Sequence, residues 1–211
     1  MANNESLQVR KILHLKDPPG KLIIIGSSAG GIQALMTLVG TLPAKFPAPI
    51  ILAQHFAPDR QSELVNILQK RTPLKVEFIH QIKHIEPGTI YVIPPDYHAF
   101  IEEGFVILRK DSLGRPKPSI NLLLTTAAHV YTNNVIAVIL TGSGSNGAIG
   151  TREVKRMGGT VIIENPLTAE FPYMPMAVSP EVVDYKADIE QIGPLLYRLV
   201  SRNGLHINKE V

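Results

Sequence analysis

The feature that most limits what this chain can fold into is a set of uninterrupted apolar runs, each breaking into a loop of small or polar residues. "LIII" (22–25) gives way to "GSSAGG", "IILA" (50–53) to "QHFAPD", and "VIAVIL" (135–140) to "TGSGSNGAIG"; "GGTVII" supplies a further run. A helical pattern follows the first three. Continuous β-branched runs alternating with amphipathic helices are the signature of parallel strands buried on both faces. The expectation is an α/β fold, a doubly wound, mostly parallel sheet flanked by helices. The middle of the chain differs. "LKVEFI", "TIYVIPP" and "HAFIEEGFVILRK" are short β-rich stretches broken by Gly, Pro or "EEG". They suggest a local antiparallel excursion with a small hairpin near residues 97–109, turning at Glu103-Gly104. A helix is expected to start near Ser119 and another to follow Asp188 as its N-cap.

The 211 residues suit one compact domain, and 45% hydrophobic residues suffice for a core. The expected division is a polar lead-in at 1–20, one domain over 21–203 and a tail at 204–211. A net charge of +3 with scattered basic residues, and only 6% aromatics, argues against nucleic-acid binding. The absence of cysteine excludes disulfides, thiolate nucleophiles and cysteine-ligated zinc. No stretch reaches the ~18 apolar residues of a membrane span, and residues 1–20 lack a signal-peptide core. A cytoplasmic location without membrane insertion is expected, and nothing in the sequence fixes an oligomeric state. The histidines show no metal spacing, and His80 and His84 read as solvated surface. No metal or other cofactor is expected.

In an open parallel sheet, ligands bind beyond the carboxyl ends of the strands. Ser27 or Ser28, His55 and the 143–146 segment should emerge together at that edge. From residues alone "GSSAGG" admits three readings: a small-residue turn, a phosphate cradle, or a nucleophile on a tight strand-to-helix turn. It matches neither G-x-G-x-x-G nor the P-loop pattern. His55, ending an apolar strand on the same edge, favours a serine nucleophile with a histidine base.

Taken in order, "GSSAGG", "QHFAPD" and "VILTGSGSNGAIG", with "PGTIYVIPPDYH", "KPSINLLL" and "TAEFPYMP", resemble the catalytic domain of the chemotaxis-receptor glutamate methylesterases, the CheB family. The resemblance spans about residues 21–200. It implies a signal-transduction hydrolase acting on glutamate methyl esters of the cytoplasmic helices of methylated chemoreceptors, releasing methanol, with glutamine deamidation as a second activity. Carried over by position, Ser28 is the nucleophile and His55 the base. The family's third residue, an aspartate, falls on Asn146. Ala29, Gly30, Ser143 and Gly144 fall in the substrate and oxyanion loops. Asn at the third position of a serine triad lowers kcat by about 10⁴, mostly through the wrong histidine tautomer. Further departures are Ser143 for methionine, Ala29 for threonine, Asn121 for aspartate and Met176 for arginine. Asp96, Asp59 and Glu164 are candidate substitute carboxylates. The alternative is a catalytically impaired relative that binds a receptor or another signalling partner without turnover. The family often carries an N-terminal receiver domain, which twenty residues cannot form; the chain is either a stand-alone domain or a fragment.

Overall fold

The computed structural model describes residues 20–55, 63–110 and 116–201. The proposed lead-in at 1–20 (apart from Gly20) and tail at 204–211 lie outside them. Seven strands form one all-parallel sheet. In chain order they are β1 (Leu22–Ser27), β2 (Ile50–Gln54), β3 (Lys75–Phe78), β5 (Thr89–Val92), β8 (Val135–Ile139), β9 (Thr160–Glu164) and β10 (Tyr185–Ala187). Their order across the sheet is β10-β9-β8-β1-β2-β5-β3. The chain builds outward from β1 on one side, then returns with β8 on the other. The strand order therefore reverses between β1 and β8, where α/β sheets open a crevice for ligands.

A second sheet of three antiparallel strands holds β4 (Ile82–His84), β6 (His98–Glu102) and β7 (Phe105–Arg109), in the order β4-β7-β6. Glu102 pairs with Phe105, so the hairpin turns at Glu103-Gly104 as expected. The antiparallel region is otherwise smaller than the sequence suggested. "KVEF" and "TIYV" pair parallel to each other and join the main sheet. All four β5 residues are buried, which only a covered parallel sheet provides. The third antiparallel strand comes instead from "IKH", a stretch with no β-rich signal.

The helices are α1 (Gly31–Gly40), α2 (Leu64–Gln69), α3 (Ile120–Tyr131), α4 (Ala148–Arg156), α5 (Tyr173–Ala177) and α6 (Ile189–Ser201). Alternation along each strand divides the core between two faces. Ile23, Ile25, Ile50 and Leu52 pack with Leu35, Leu38 and Leu196 from α1 and α6. Leu22, Ile24 and Ile51 pack with Leu123 and Leu124 of α3 and with Val106 of the small sheet. Ser119 Oγ accepts the Leu122 N–H at 3.3 Å and so caps α3. Asp188 stands immediately before α6, as expected, and its Oδ1 also accepts from Asn165 Nδ2 at 2.7 Å and Thr168 Oγ1 at 2.9 Å. That carboxylate tethers the loop after β9 as well as preceding a helix. Among the described residues no helix is long and apolar enough to cross a membrane.

Candidate active site

The parallel register does the first part of the assembly. Ser27 pairs with Gln54, and the His55 N–H donates to Ser27 O at 3.1 Å, so Ser28 and His55 leave adjacent strands side by side. On the other flank the Ser28 N–H donates to Thr141 O at 3.0 Å, drawing in the loop after β8. The three segments that carry the expected chemistry thus meet at the switch point.

The two neighbouring serines are not equivalent. Ser27 is fully buried and its hydroxyl donates to Gln54 Oε1 at 2.6 Å. Gln54 Nε2 donates in turn to Ser28 O at 2.8 Å and His55 O at 2.7 Å. A single amide therefore holds the peptides of Ser28 and His55 against each other. The Ser28 side chain is half-buried and takes no part in that network, which favours Ser28 over Ser27 as a reacting hydroxyl. Space around Ser28 is made by Gly142, where a Cβ would lie 2.2 Å from Met174 Sδ and 2.9 Å from Ser28 Cβ. Among the described residues the peptide N–H groups of Ser28 and Gly142 are committed to Thr141 O and Phe171 O. Those of Ala29, Gly30, Ser143 and Gly144 make no backbone hydrogen bond there.

Asn146 lies in a loop that bends at Gly144 (φ 89°) and Gly147 (φ 113°), conformations that favour glycine. Its position is set by the start of α3. The Asn121 N–H donates to Asn146 Oδ1 at 3.1 Å, while Asn121 Oδ1 accepts the N–H groups of Gly147, Ile149 and Gly150 at 2.9–3.0 Å. Asn121 is thus the acceptor that closes the N-terminal turn of α4, a task its neutral oxygen performs without charge. Because Asn146 Oδ1 is occupied, the amide turns its nitrogen to the histidine. Nδ2 lies 2.9 Å from His55 Nε2 and donates to Pro118 O at 3.3 Å, and His55 Nε2 lies 3.0 Å from the same carbonyl. A flipped amide would set its nitrogen against the Asn121 N–H and its oxygen against Pro118 O. The opposing group at His55 is therefore a donor, where the family places an acceptor.

His55 is half-buried. Burial holds its imidazole below the ordinary value, and the bond to the Pro118 carbonyl offsets this in part. The ring is neutral at pH 7, as a base must be. A cleft of about 350 Å³ opens beside it, walled by His55, Pro116, Ser119, Asn121 and the 143–146 loop.

Of the candidate substitute carboxylates, the two among the described residues do not bond to His55. Asp96 and Glu164 make no bond to it, and Asp59 lies outside the described residues. Glu164 is buried and serves Thr141 instead: its Oε2 accepts the Thr141 N–H at 2.7 Å. Burial pushes its carboxyl above the ordinary value, and Glu190, Asp188 and Glu170 add to the rise, against the opposing Thr141 bond. A raised carboxyl contributes stability that is complete below the ordinary range near 4.5 and is lost as pH rises through the raised value. Glu164→Gln keeps an oxygen for Thr141 and cannot ionise. It is expected to raise the melting temperature at pH 8, with the gain shrinking as pH falls into the carboxylate range. A gain independent of pH would contradict this origin.

The sequence profile of the family described as CheB methylesterase matches residues 23–196. A Leptospira interrogans protein, provisionally named a protein-glutamate methylesterase/protein-glutamine glutaminase, is 39% identical over 184 residues, covering 86% of this chain and 95% of its own. The Thermotoga maritima protein-glutamate methylesterase/protein-glutamine glutaminase is 35% identical over 187 residues, covering 86% of this chain; the match spans 54% of that protein's length. The crystal structure of the Thermotoga maritima CheB methylesterase catalytic domain superposes with a TM-score of 0.80 at 36% identity, covering 85% of this chain and 98% of that one.

Proposed function

Since the chain belongs to the CheB methylesterase family, we propose that it hydrolyses protein glutamate methyl esters, with protein glutamine as a second substrate, using Ser28 as nucleophile and His55 as general base. The observation that carries this reading is the side-by-side exit of Ser28 and His55 from adjacent strands, fixed by one buried glutamine. The Ser28 hydroxyl attacks the ester carbonyl carbon and His55 accepts its proton. The N–H groups of Ala29, Gly30, Ser143 and Gly144 are the candidates to hold the oxyanion. Collapse breaks the bond to the methoxy oxygen, which takes the proton from His55 and leaves as methanol. Water, activated by the same imidazole, then attacks the acyl-serine and restores the hydroxyl. With a glutamine side chain the leaving group is ammonia.

The substrate proposed is the cytoplasmic helical region of methylated chemoreceptors, which places the protein in the cytoplasm. Its test is methanol release from methylated receptor membranes by the purified protein. Release in proportion to enzyme is expected. If neither methanol nor ammonia appears from any methylated or glutamine-bearing receptor, the assignment fails.

A further inference from the structure

Three polar atoms meet at the far side of the His55 ring: His55 Nε2, Asn146 Nδ2 and Pro118 O. Their separations are 2.9, 3.0 and 3.3 Å. Two of the atoms are nitrogens and one is a carbonyl oxygen, so the protons can be placed by elimination. The near-equilateral triangle puts Nε2 and Pro118 O at an acute angle seen from Nδ2. The two N–H bonds of an amide diverge trigonally, so Asn146 cannot give a separate, well-aligned hydrogen to each. If Nε2 were bare, its lone pair would face the Pro118 carbonyl at 3.0 Å with no proton between two acceptors. If Nε2 carries the proton, the 2.9 Å approach of Nδ2 is a donor–donor contact, but the carbonyl accepts from both nitrogens, one lone pair for each, so two hydrogen bonds form where a bare Nε2 allows one.

The carbonyl is itself held. Pro118 C=O and Ser119 N–H belong to one peptide group, and in a trans peptide they point in opposite directions. The Ser119 N–H donates to Nδ1 of His98, a fully buried side chain, at 3.1 Å. The peptide is therefore anchored on one side by His98 and directed on the other at His55. Ser119 is also the N-cap of α3, which fixes the same peptide against the helix.

We propose that the peptide carbonyl of Pro118, and not the side chain at 146, selects the tautomer of His55, placing its proton on Nε2 and leaving Nδ1 as the base for Ser28. Nδ1 is the ring nitrogen with no protein partner among the described residues, and it lies on the side of the ring nearest the His55 backbone, which leaves β2 next to the point where Ser28 leaves β1. In each half-reaction the Ser28 or water proton passes to Nδ1, while Nε2–H stays bonded to Pro118 O. Pro118 is a positioning residue acting through its backbone, and an asparagine at 146 is then compatible with turnover. The inference rests on the esterase reading for its meaning.

The test reads the tautomer directly, with no substrate. Two-bond proton–nitrogen correlation spectra of histidine-labelled protein at pH 8, with His55→Gln to identify the signals, report which ring nitrogen is protonated. The Nε2–H form is expected in the unaltered protein and in Asn146→Ala. Asn146→Leu, close to the original in size, replaces the alanine variant if that one fails to fold. An Nδ1–H ring in the unaltered protein overturns the proposal. So does a change to Nδ1–H once the side chain at 146 is removed, because the tautomer would then depend on Asn146. An Nε2–H ring in a protein that releases no methanol leaves this inference standing and overturns the esterase assignment alone.

Discussion

Ser28→Ala is expected to lower the rate of methanol release by about 10⁴-fold or more. Removing the serine of a complete serine-histidine-aspartate set costs about 10⁶ in kcat. Among the described residues no carboxylate bonds to the histidine, so the hydroxyl is expected to be activated less, with less rate to lose. About two powers of ten are allowed for that difference, and 10⁴ remains, equivalent to roughly 5–6 kcal/mol of transition-state stabilisation. The fold should not be affected. The bonds that hold residue 28 run through its peptide N–H and C=O, both of which alanine retains. Rate and melting temperature measured together check the prediction, and an active-site phosphonate should label Ser28 and leave Ser27 untouched. Loss of less than tenfold, or a label on another residue, would place the nucleophile elsewhere.

Asn146→Asp is expected to raise kcat/KM by about 10- to 100-fold. One carboxylate oxygen takes over the bond from the Asn121 N–H, and the other replaces Nδ2 2.9 Å from His55 Nε2, where its attraction to the ring N–H is expected to outweigh its 3.3 Å approach to Pro118 O. A donor facing a donor becomes an acceptor with full charge, beside the N–H groups that open α4. Hydrogen bonds to charged groups contribute about 1.5–3 kcal/mol, which sets the size of the gain. The pH profile should move as well. In the unaltered protein burial keeps His55 below its ordinary value of 6.5, so the acid limb of kcat/KM should fall below that pH. A neighbouring carboxylate favours imidazolium and moves the limb upward. An aspartate variant with unchanged rate and unchanged limb would show that this oxygen never reaches the ring.

The meeting of the strand ends that carry Ser28 and His55 was legible in the sequence because its signal is topological. An apolar run that ends in a small-residue loop marks a strand end, and parallel strands bring such ends to one edge. The sequence also marked Asn146 as a departure from the family's pattern. It could not show which way the amide points, since that depends on the Asn121 peptide N–H, twenty-five positions away. Pro118 was missed for a related reason: a peptide carbonyl is present at every residue, and only its aim distinguishes it. Gln54 stood within a quoted motif, yet its role depends on three bonds that only the register creates. The error over "KVEF" and "TIYV" has a similar cause. Short strands with polar ends read alike whether they pair parallel or antiparallel, and the complete burial of Thr89–Val92 is a tertiary fact.

The glutamine between the two strand ends also determines where this site can yield. All three of its side-chain hydrogen bonds stay within the seam of β1 and β2, so that wall opens only if buried bonds break together. The opposite wall is joined to it at Thr141, whose carbonyl accepts the Ser28 N–H and whose hydroxyl donates to Ala29 O. The site is thus a vice with one fixed jaw: any widening of the cleft is expected on the side of the 142–147 loop, with Ser28 and His55 held at constant spacing.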